Sequence, residues 1–342
     1  MRLTLHPFQL RLRRPFTISR GATVVQPTLV VELEEDGFHG YGEAPDTPYY
    51  GASVAGMAAA IEQLRPQIET ASAADPEELW EKLCGPSGLL FAQAALDAAC
   101  WDLWGKRHAF PLWKLWGLTL DHLPPSDYTI VIDTIDRMLQ TLDEVPGFPV
   151  YKIKLGTPHD LEIVRAVRRR TDAALRVDAN CAWSAEETIA NSHALAELGV
   201  QFIEQPLPAD RWVEMQHVAG RSALPLVADE SCRSVADVDR CAGCFQGINV
   251  KLSKCGGLTP ARRMIARARQ LGLQVMIGCF TESTVSISAA AQLLPLADYA
   301  DLDGALLLAD DVADGVRIDR GRAVFPEQNG CGVTLWAGKG HR

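Results

Sequence analysis

From residue 128 onward, short apolar runs recur along the chain at a nearly constant interval. They begin at "YTIVI" (128), "VYKIK" (150), "LRVD" (175), "QFIE" (201), "PLVAD" (225), "GINVK" (247), "LQVMIG" (273) and "DYADLD" (298), so the starts advance by 22, 25, 26, 24, 22, 26 and 25 residues. Stretches with apolar residues at helical spacing separate most of them, such as "EETIANSHALAELG" and "TPARRMIARARQLG". One strand, one helix and two short connections fill such an interval. Eight strands so spaced predict an α/β fold, a closed parallel (β/α)7β barrel of the TIM type.

The chain before residue 125 has a different rhythm. "PTLVVELEEDGFHGYGEA" (27–44) sets two β-rich runs around Asp36-Gly37, which predicts a hairpin. "SVAGMAAAIEQLRPQI", with Ser53 as its N-cap, and "LLFAQAALDAACWDLWGK" predict helices. Pro124-Pro125 marks a boundary. The expected organisation is an α+β unit over 1–124, the barrel over 125–310, and a segment over 311–342. That last segment is expected to form short strands without a helix and to pack back on the first unit.

Composition narrows the partners. The 342 residues are 47% hydrophobic, enough for a packed core and more than one unit. A net charge of -10, from 33 Lys+Arg against 43 Asp+Glu, argues against a nucleic-acid or anionic-membrane surface and favours a small-molecule partner. No apolar run is long enough to span a bilayer, and "MRLTLHPFQLRLRRPF" lacks the apolar core of a signal peptide, so a cytoplasmic location is expected. Nine cysteines without framework spacing fit free thiols in a reducing compartment. The Cys241-Ala-Gly-Cys244 pair lacks a second pair or a nearby His and reads as structural.

The candidate chemistry lies at the strand ends. Lys152 and Lys154 end the second run, Asp178 the third, Glu204 the fourth, Asp229 the fifth, Lys251 the sixth, and Asp301 with Asp303 the eighth. One such charge alone reads as a solvated strand end. Charges recurring at one phase, at the rim where αβ-barrels build their active sites, read as a site. Asp178, Glu204 and Asp229 would repel one another in a dry site unless a divalent cation lies between them. Mg²⁺ suits such oxygen ligands, and with no His at these strand ends zinc is the poorer fit.

Lysines flank the acids on both sides. Lys152 and Lys154 share a strand face, with Lys152 deeper, where it can contact a metal-bound ligand and lower the pKa of its neighbour. A metal-held carboxylate with a lysine on each face suits removal of the proton α to that carboxylate. Mg²⁺ and Lys152 would stabilise the resulting enediolate, and the opposite lysine would return a proton with inversion.

"GYGEA", "AALDAACWDLWGK", "KIK", "VDAN", "IEQP", "ADES", "NVKLSKCGG" and "DLDG", in this order, resemble the enolase superfamily and its muconate-lactonizing-enzyme subgroup over nearly the whole chain. The resemblance implies that Asp178, Glu204 and Asp229 are metal ligands and that Lys154 and Lys251 are the acid/base pair, with Lys254 the competing assignment. It also implies that the unit over 1–124 is a capping domain whose loops near 16–26 and 46–52 close over the site, in a family whose barrels are often homo-oligomers. "VMIGCFTES" lacks the His of mandelate-racemase relatives, which favours the two-lysine branch.

Within that branch "DLDG" discriminates. Asp301 and Asp303 can both face the site and grip a cationic group such as the free α-ammonium of a dipeptide, which resembles the dipeptide epimerases. L-Ala-L-Glu or a related dipeptide is the expected substrate. Arg20 would pair with an acidic side chain, Asp46 or Glu282 with a basic one, and Tyr49 and Tyr50 would suit an apolar one. Muconate-type cycloisomerases, o-succinylbenzoate synthases and N-acylamino acid racemases share the metal and lysines without needing the aspartate pair. A Schiff-base aldolase would need one lysine and no metal, and a non-catalytic binding protein gives no reason for a base on each face.

Overall fold

The computed structural model describes residues 1–83 and 89–336. Three antiparallel strands, β1 (Arg2–Ile18), β2 (Gly21–Glu35) and β3 (Phe38–Pro45), form the first sheet in sequence order. The expected hairpin is β2–β3. Its two-residue turn has Asp36 at φ 55° and Gly37 at φ 80°, the left-handed pair that a type I′ turn requires.

β1 is an element that the sequence pattern did not disclose. It pairs with β2 from Arg2–Glu34 to Arg11–Val25, then resumes at Phe16–Thr23 after a register shift. Charged and half-exposed residues interrupt its alternation, which dilutes the strand signal. Residues 16–26 are therefore not a loop. They are the tip of a β-hairpin that turns at Ser19-Arg20.

Four helices follow: α1 (Val54–Thr70), α2 (Pro76–Leu83), α3 (Leu90–Arg107) and the short α4 (Leu112–Leu115). Ser53 caps α1 as expected, accepting from Gly56 N at 3.1 Å. α3 lies across β2 and β3, with Leu29, Val31 and Leu33 of β2 sharing a core with Ala95, Ala99 and Leu103 of α3. "GYGEA" permits that approach, since a Cβ on Gly42 would stand 2.1 Å from Ala95 O.

The barrel alternates β4 (Tyr128–Ile130), α5 (Ile135–Glu144), β5 (Val150–Lys154), α6 (Asp160–Arg168), β6 (Ala174–Asp178), α7 (Ala185–Glu197), β7 (Val200–Glu204) and α8 (Trp212–Ala219). It continues through β8 (Leu226–Ala228), α9 (Val235–Cys241), β9 (Gly247–Lys251), α10 (Leu252–Cys255), α11 (Leu258–Gln270), β10 (Gln274–Gly278), α12 (Thr284–Ala291) and β11 (Tyr299–Asp301). Every expected run contains a strand, and the eight lie parallel in sequence order. Between β4 and β11 the ring is joined by the Ser126–Ala300 bridge and by side chains. Leu302 N donates to Ser126 Oγ at 2.8 Å, and Thr129 N to Asp303 Oδ2 at 2.6 Å.

The tail forms β12 (Ala313–Asp314), β13 (Arg317–Asp319), β14 (Arg322–Val324) and β15 (Thr334–Leu335). It touches both units rather than the first alone: Cys331 N donates to Asp102 on α3 at 2.7 Å, and Gly321 O accepts from Ser126 at the barrel seam at 2.8 Å. Residues 337–342 of the expected C-terminal segment lie outside the described residues. Cys241 and Cys244 are buried and close a turn after α9, a packing role. No helix among the described residues is long and apolar enough to cross a membrane.

Candidate active site

Parallel strands put the last inward-facing residue of each at one rim. Cα register pairs Lys154 with Asp178 and Asp178 with Glu204, so the side chains of β5, β6 and β7 stand at one level. Asp229 follows β8 directly, and Lys251 ends β9. β5 and β9 are the second and sixth strands of the eight-strand sheet, which sets Lys154 and Lys251 across the mouth from each other. Both line a cavity of about 600 Å³ roofed by the hairpin tip and by Thr47–Tyr50 of the cap.

Asp178, Glu204 and Asp229 each bring a carboxylate oxygen within 4.8 Å of the others, and all three are buried. Among the described residues Glu204 Oε2 accepts no aligned hydrogen bond, although Lys152 Nζ lies 2.6 Å away, and Asn180 Oδ1 is likewise without a hydrogen-bond partner. An oxygen-only set with an orphaned carboxylate oxygen fits a hard divalent cation. Burial foremost, then the charges of Asp178 and Asp229, push Glu204 up to about 7 against the pull of Lys152. Burial acts the same way on Asp178 and Asp229, but the lysines prevail and hold both below the usual carboxylate range.

Each lysine has a carboxylate partner. Lys154 Nζ lies 2.7 Å from Asp178, Lys251 Nζ 2.9 Å from Asp229, and Lys152 Nζ 2.7 Å from Asp301. Lys152 is 1% exposed and sits beneath the cavity, deeper than Lys154 as expected. Burial lowers the pKa of Lys251 and Asp229 raises it, with a net rise. Lys254 is committed elsewhere: it holds Asp229 Oδ1, Asp229 O and Asn249 O, and does not line the cavity.

Asp301 and Asp303 both line the cavity, with Cys279 beside them. Arg20 reaches the rim from the hairpin tip, but its guanidinium is engaged: Nη2 donates to Glu230 Oε1 at 2.8 Å and Nη1 to Asn180 O at 2.9 Å, over the Tyr49 ring at 4.3 Å. Glu282 corrects an expectation. It accepts from Ser253 Oγ at 2.9 Å and from Phe280 N at 3.2 Å, and the chain turns after β10 so that Cys279, Phe280 and Thr281, not Glu282, line the cavity. Asp46 does line it, and accepts from Val54 N at 3.3 Å.

Sequence reasoning passed over Glu230, Asn180 and Asn249. Asn249 Nδ2 donates to Glu204 Oε1 at 2.8 Å, and Asn180 N to Asp178 Oδ1 at 2.8 Å, so both orient acids of the cluster. Glu230 lies inside "ADES", and a second acid beside Asp229 was the available signal.

Comparison with known proteins extends over nearly the whole length. Residues 3–117 match the mandelate racemase/muconate lactonizing enzyme N-terminal domain, and residues 136–338 match the enolase C-terminal domain-like family. The chain is 49% identical over 336 residues to the L-Ala-D/L-amino acid epimerase of Flavobacterium johnsoniae, covering 98% of this chain and 100% of that one. The dipeptide epimerase of Enterococcus faecalis, solved with Mg and L-Leu-L-Tyr, superposes with a TM-score of 0.92 at 31% identity, covering 97% of this chain and 98% of that one. The dipeptide epimerase of Methylococcus capsulatus, solved with Mg and L-Arg-D-Lys, gives a TM-score of 0.90 at 31% identity, covering 98% and 99%. With its antiparallel cap, its parallel barrel and its carboxylates on successive strands, the chain belongs to the mandelate racemase/muconate lactonizing enzyme group of the enolase superfamily.

Proposed function

We propose that the protein is a Mg²⁺-dependent dipeptide epimerase that inverts the α-carbon of the carboxyl-terminal residue. The observation that carries this reading is the placement of Asp301 and Asp303 on the wall of the cavity whose opposite sides carry Lys154 and Lys251. Asp178, Glu204 and Asp229 would hold the cation, which supplies a Lewis acid for the substrate carboxylate and withdraws charge from it.

The aspartates fix the free α-ammonium by charge-assisted hydrogen bonds, which orients the dipeptide along the cavity. One of the two lysines takes the α-proton, and Lys152, buried beneath, adds positive charge where the enediolate forms. The other lysine delivers a proton to the opposite face. A lysine acts as base only as the free amine, so Lys154 and Lys251 would each have to give up a proton and the ion pair with Asp178 or Asp229; a cation held by those carboxylates would weaken both pairs.

For the inverted residue we propose a broad range rather than glutamate alone. Glu230 already neutralises Arg20, so the rim demands neither sign of charge. Tyr49, Tyr50, Phe16, Ile18 and Phe280 offer apolar contact around it. The relative from Flavobacterium johnsoniae, described as acting on L-Ala-D/L-amino acids, supports this breadth. The unframed cysteines support a cytoplasmic location.

The test is incubation with Mg²⁺ in D₂O against L-Ala-L-Xaa dipeptides, following the carboxyl-terminal α-proton by NMR. Exchange with appearance of the second epimer is expected for apolar, aromatic and acidic Xaa, abolished by EDTA and restored by Mg²⁺. Exchange confined to N-acyl amino acids, or persisting in EDTA, would sink the reading.

A further inference from the structure

Of the three clustered acids, Asp229 is the one that stands outside the strand ladder. Asp178 and Glu204 are register partners of each other, whereas β8 ends at Ala228, paired with Ile248, one residue short of Asp229. A residue on a bend keeps freedom that a ladder would remove, so something else must set its carboxylate. Its main chain is tied through side chains: Asp229 N donates to Gln205 Oε1 at 3.0 Å, and Asp229 O accepts from Lys254 Nζ at 2.6 Å.

Lys254 is the centre of that tie. It lies in α10, the four-residue helix that follows β9, and is 1% exposed. An ammonium has three N–H donors, and Lys254 meets three acceptors: Asp229 Oδ1, Asp229 O, and Asn249 O at 3.0 Å. With its donors spent inside the protein, it is not a proton carrier for a substrate. Its two bonds to Asp229 fix the carboxylate against its own backbone, and the third anchors both to β9. Asn249 of that strand donates through Nδ2 to Glu204 Oε1 at 2.8 Å, so the tie reaches the neighbouring acid of the cluster.

The opposite side of the mouth is built differently. There Asp178 Oδ2 accepts from Lys154 at 2.7 Å, and Oδ1 accepts from the main-chain N of Asn180 at 2.8 Å. Asp229 Oδ2 likewise accepts from Lys251, at 2.9 Å, but its Oδ1 is held by the Lys254 side chain. A backbone donor comes with the strand end and cannot be substituted away. A side-chain donor can.

We propose that Lys254 is a positioning residue for the Lys251 half of the site: by holding Asp229 Oδ1 it keeps Oδ2 turned towards Lys251 and the carboxylate cluster. The proposal rests on the two-lysine reading of the function. It has a consequence that a general packing role lacks. Loss of Lys254 should harm proton transfer on the face served by Lys251 and largely spare the face served by Lys154, whose carboxylate Lys254 does not touch.

The test compares the full chain as wild type, Lys254→Met, which removes the donors, and Lys254→Gln, which keeps a neutral one. At saturating Mg²⁺, α-proton exchange into D₂O is followed by NMR separately from the L- and D-configured dipeptide, and Lys251→Ala marks the epimer that depends on Lys251. Lys254→Met should slow exchange from that epimer about tenfold more than from the other, and Lys254→Gln should shift the ratio the same way by less. A second readout needs no substrate. Removing a positive charge beside the cluster would by itself tighten cation binding, whereas releasing Asp229 weakens it, so the Mg²⁺ Kd from titration calorimetry should rise about tenfold in Lys254→Met. An epimer ratio equal to that of the wild type, or a Kd unchanged or lowered, would overturn the proposal. Should Lys254→Met fail to fold by circular dichroism, Lys254→Gln is read against the same outcomes. A wild type that exchanges no dipeptide would sink the epimerase reading, and the Mg²⁺ Kd then decides by itself whether Lys254 sets Asp229.

Discussion

The barrel mouth and the hairpin tip that roofs it hold charged residues in opposite ways. Lys154, Asp178 and Glu204 sit on strands bonded into a continuous ladder, each a register partner of the next. Arg20 sits in a turn between two strands, and its ties to the barrel are Glu230, 210 residues further along the chain, and the carbonyl oxygen of Asn180. Ladder geometry fixes the reacting groups before any substrate arrives, at the cost of allowing little variation. A turn tethered by one ion pair and by contacts of Ser19 and Arg20 with the Asn180 carbonyl oxygen can change what it presents without disturbing the ladder. The difference predicts that the mouth carries the chemistry and the tip carries the choice of substrate.

The most severe test removes a lysine. Lys154→Ala and Lys251→Ala should each lower epimerisation by about 10³-fold or more, because a general base or acid is lost outright. Each should still exchange the α-proton of one substrate epimer with D₂O, and the two variants should favour opposite epimers. NMR of L- and D-configured dipeptides reads this directly. Full racemisation by either variant would remove that lysine from the pair.

A smaller effect is expected at the tip. Arg20→Met should change KM by about tenfold and leave kcat within a few fold, with the direction depending on whether the carboxyl-terminal side chain is acidic or apolar. Glu230→Gln should shift the preference towards acidic side chains, because it frees the Arg20 charge. If Arg20→Met instead lowered kcat as far as the lysine variants do, the division between mouth and tip would fail.

The same contrast governs what can be read from the sequence. Strand-end charges recur at the strand period, so Asp178, Glu204, Asp229 and Lys251 are legible as one rim from their spacing alone. Period carries no information about residues held by distant partners, so the engagement of Arg20 by Glu230 is invisible to it. Glu282 stands four residues past the end of β10 and reads as a rim residue, but the turn directs it to Ser253. The buried Arg176 escapes because it lies in the middle of β6, where a charge normally argues against burial. β1 escapes because its exposed arginines mask the alternation.

The smallest expected effect concerns the seam where cap and barrel meet, and it sharpens the comparison by adding a third kind of charge. Glu43 on β3 accepts from Ser283 N and Ser286 N at the start of α12, and Asp97 on α3 accepts from Thr259 N at the start of α11, so two cap carboxylates sit at barrel helix N-termini. Burial raises both to about 7; for Glu43 the nearby Glu282 adds to the rise, while hydrogen bonds from Ser283 and Thr28, and for Asp97 those from Thr259, oppose it. The folded protein therefore binds protons on these groups between the unfolded values of 4.5 and 3.8 and about pH 7, where the unfolded chain has released them. Their contribution to stability is present in acid, falls as pH rises through that window, and is level above it. Glu43→Gln and Asp97→Asn remove one titration each, so the Tm of each variant relative to wild type should climb by about 1 to 3 °C between pH 5 and pH 7.5. Differential scanning calorimetry across that range gives the slope. A variant whose Tm tracks the wild type in parallel at every pH would show that its carboxyl group is already ionised in the folded protein, and that the seam is held by charge rather than by a neutral acid.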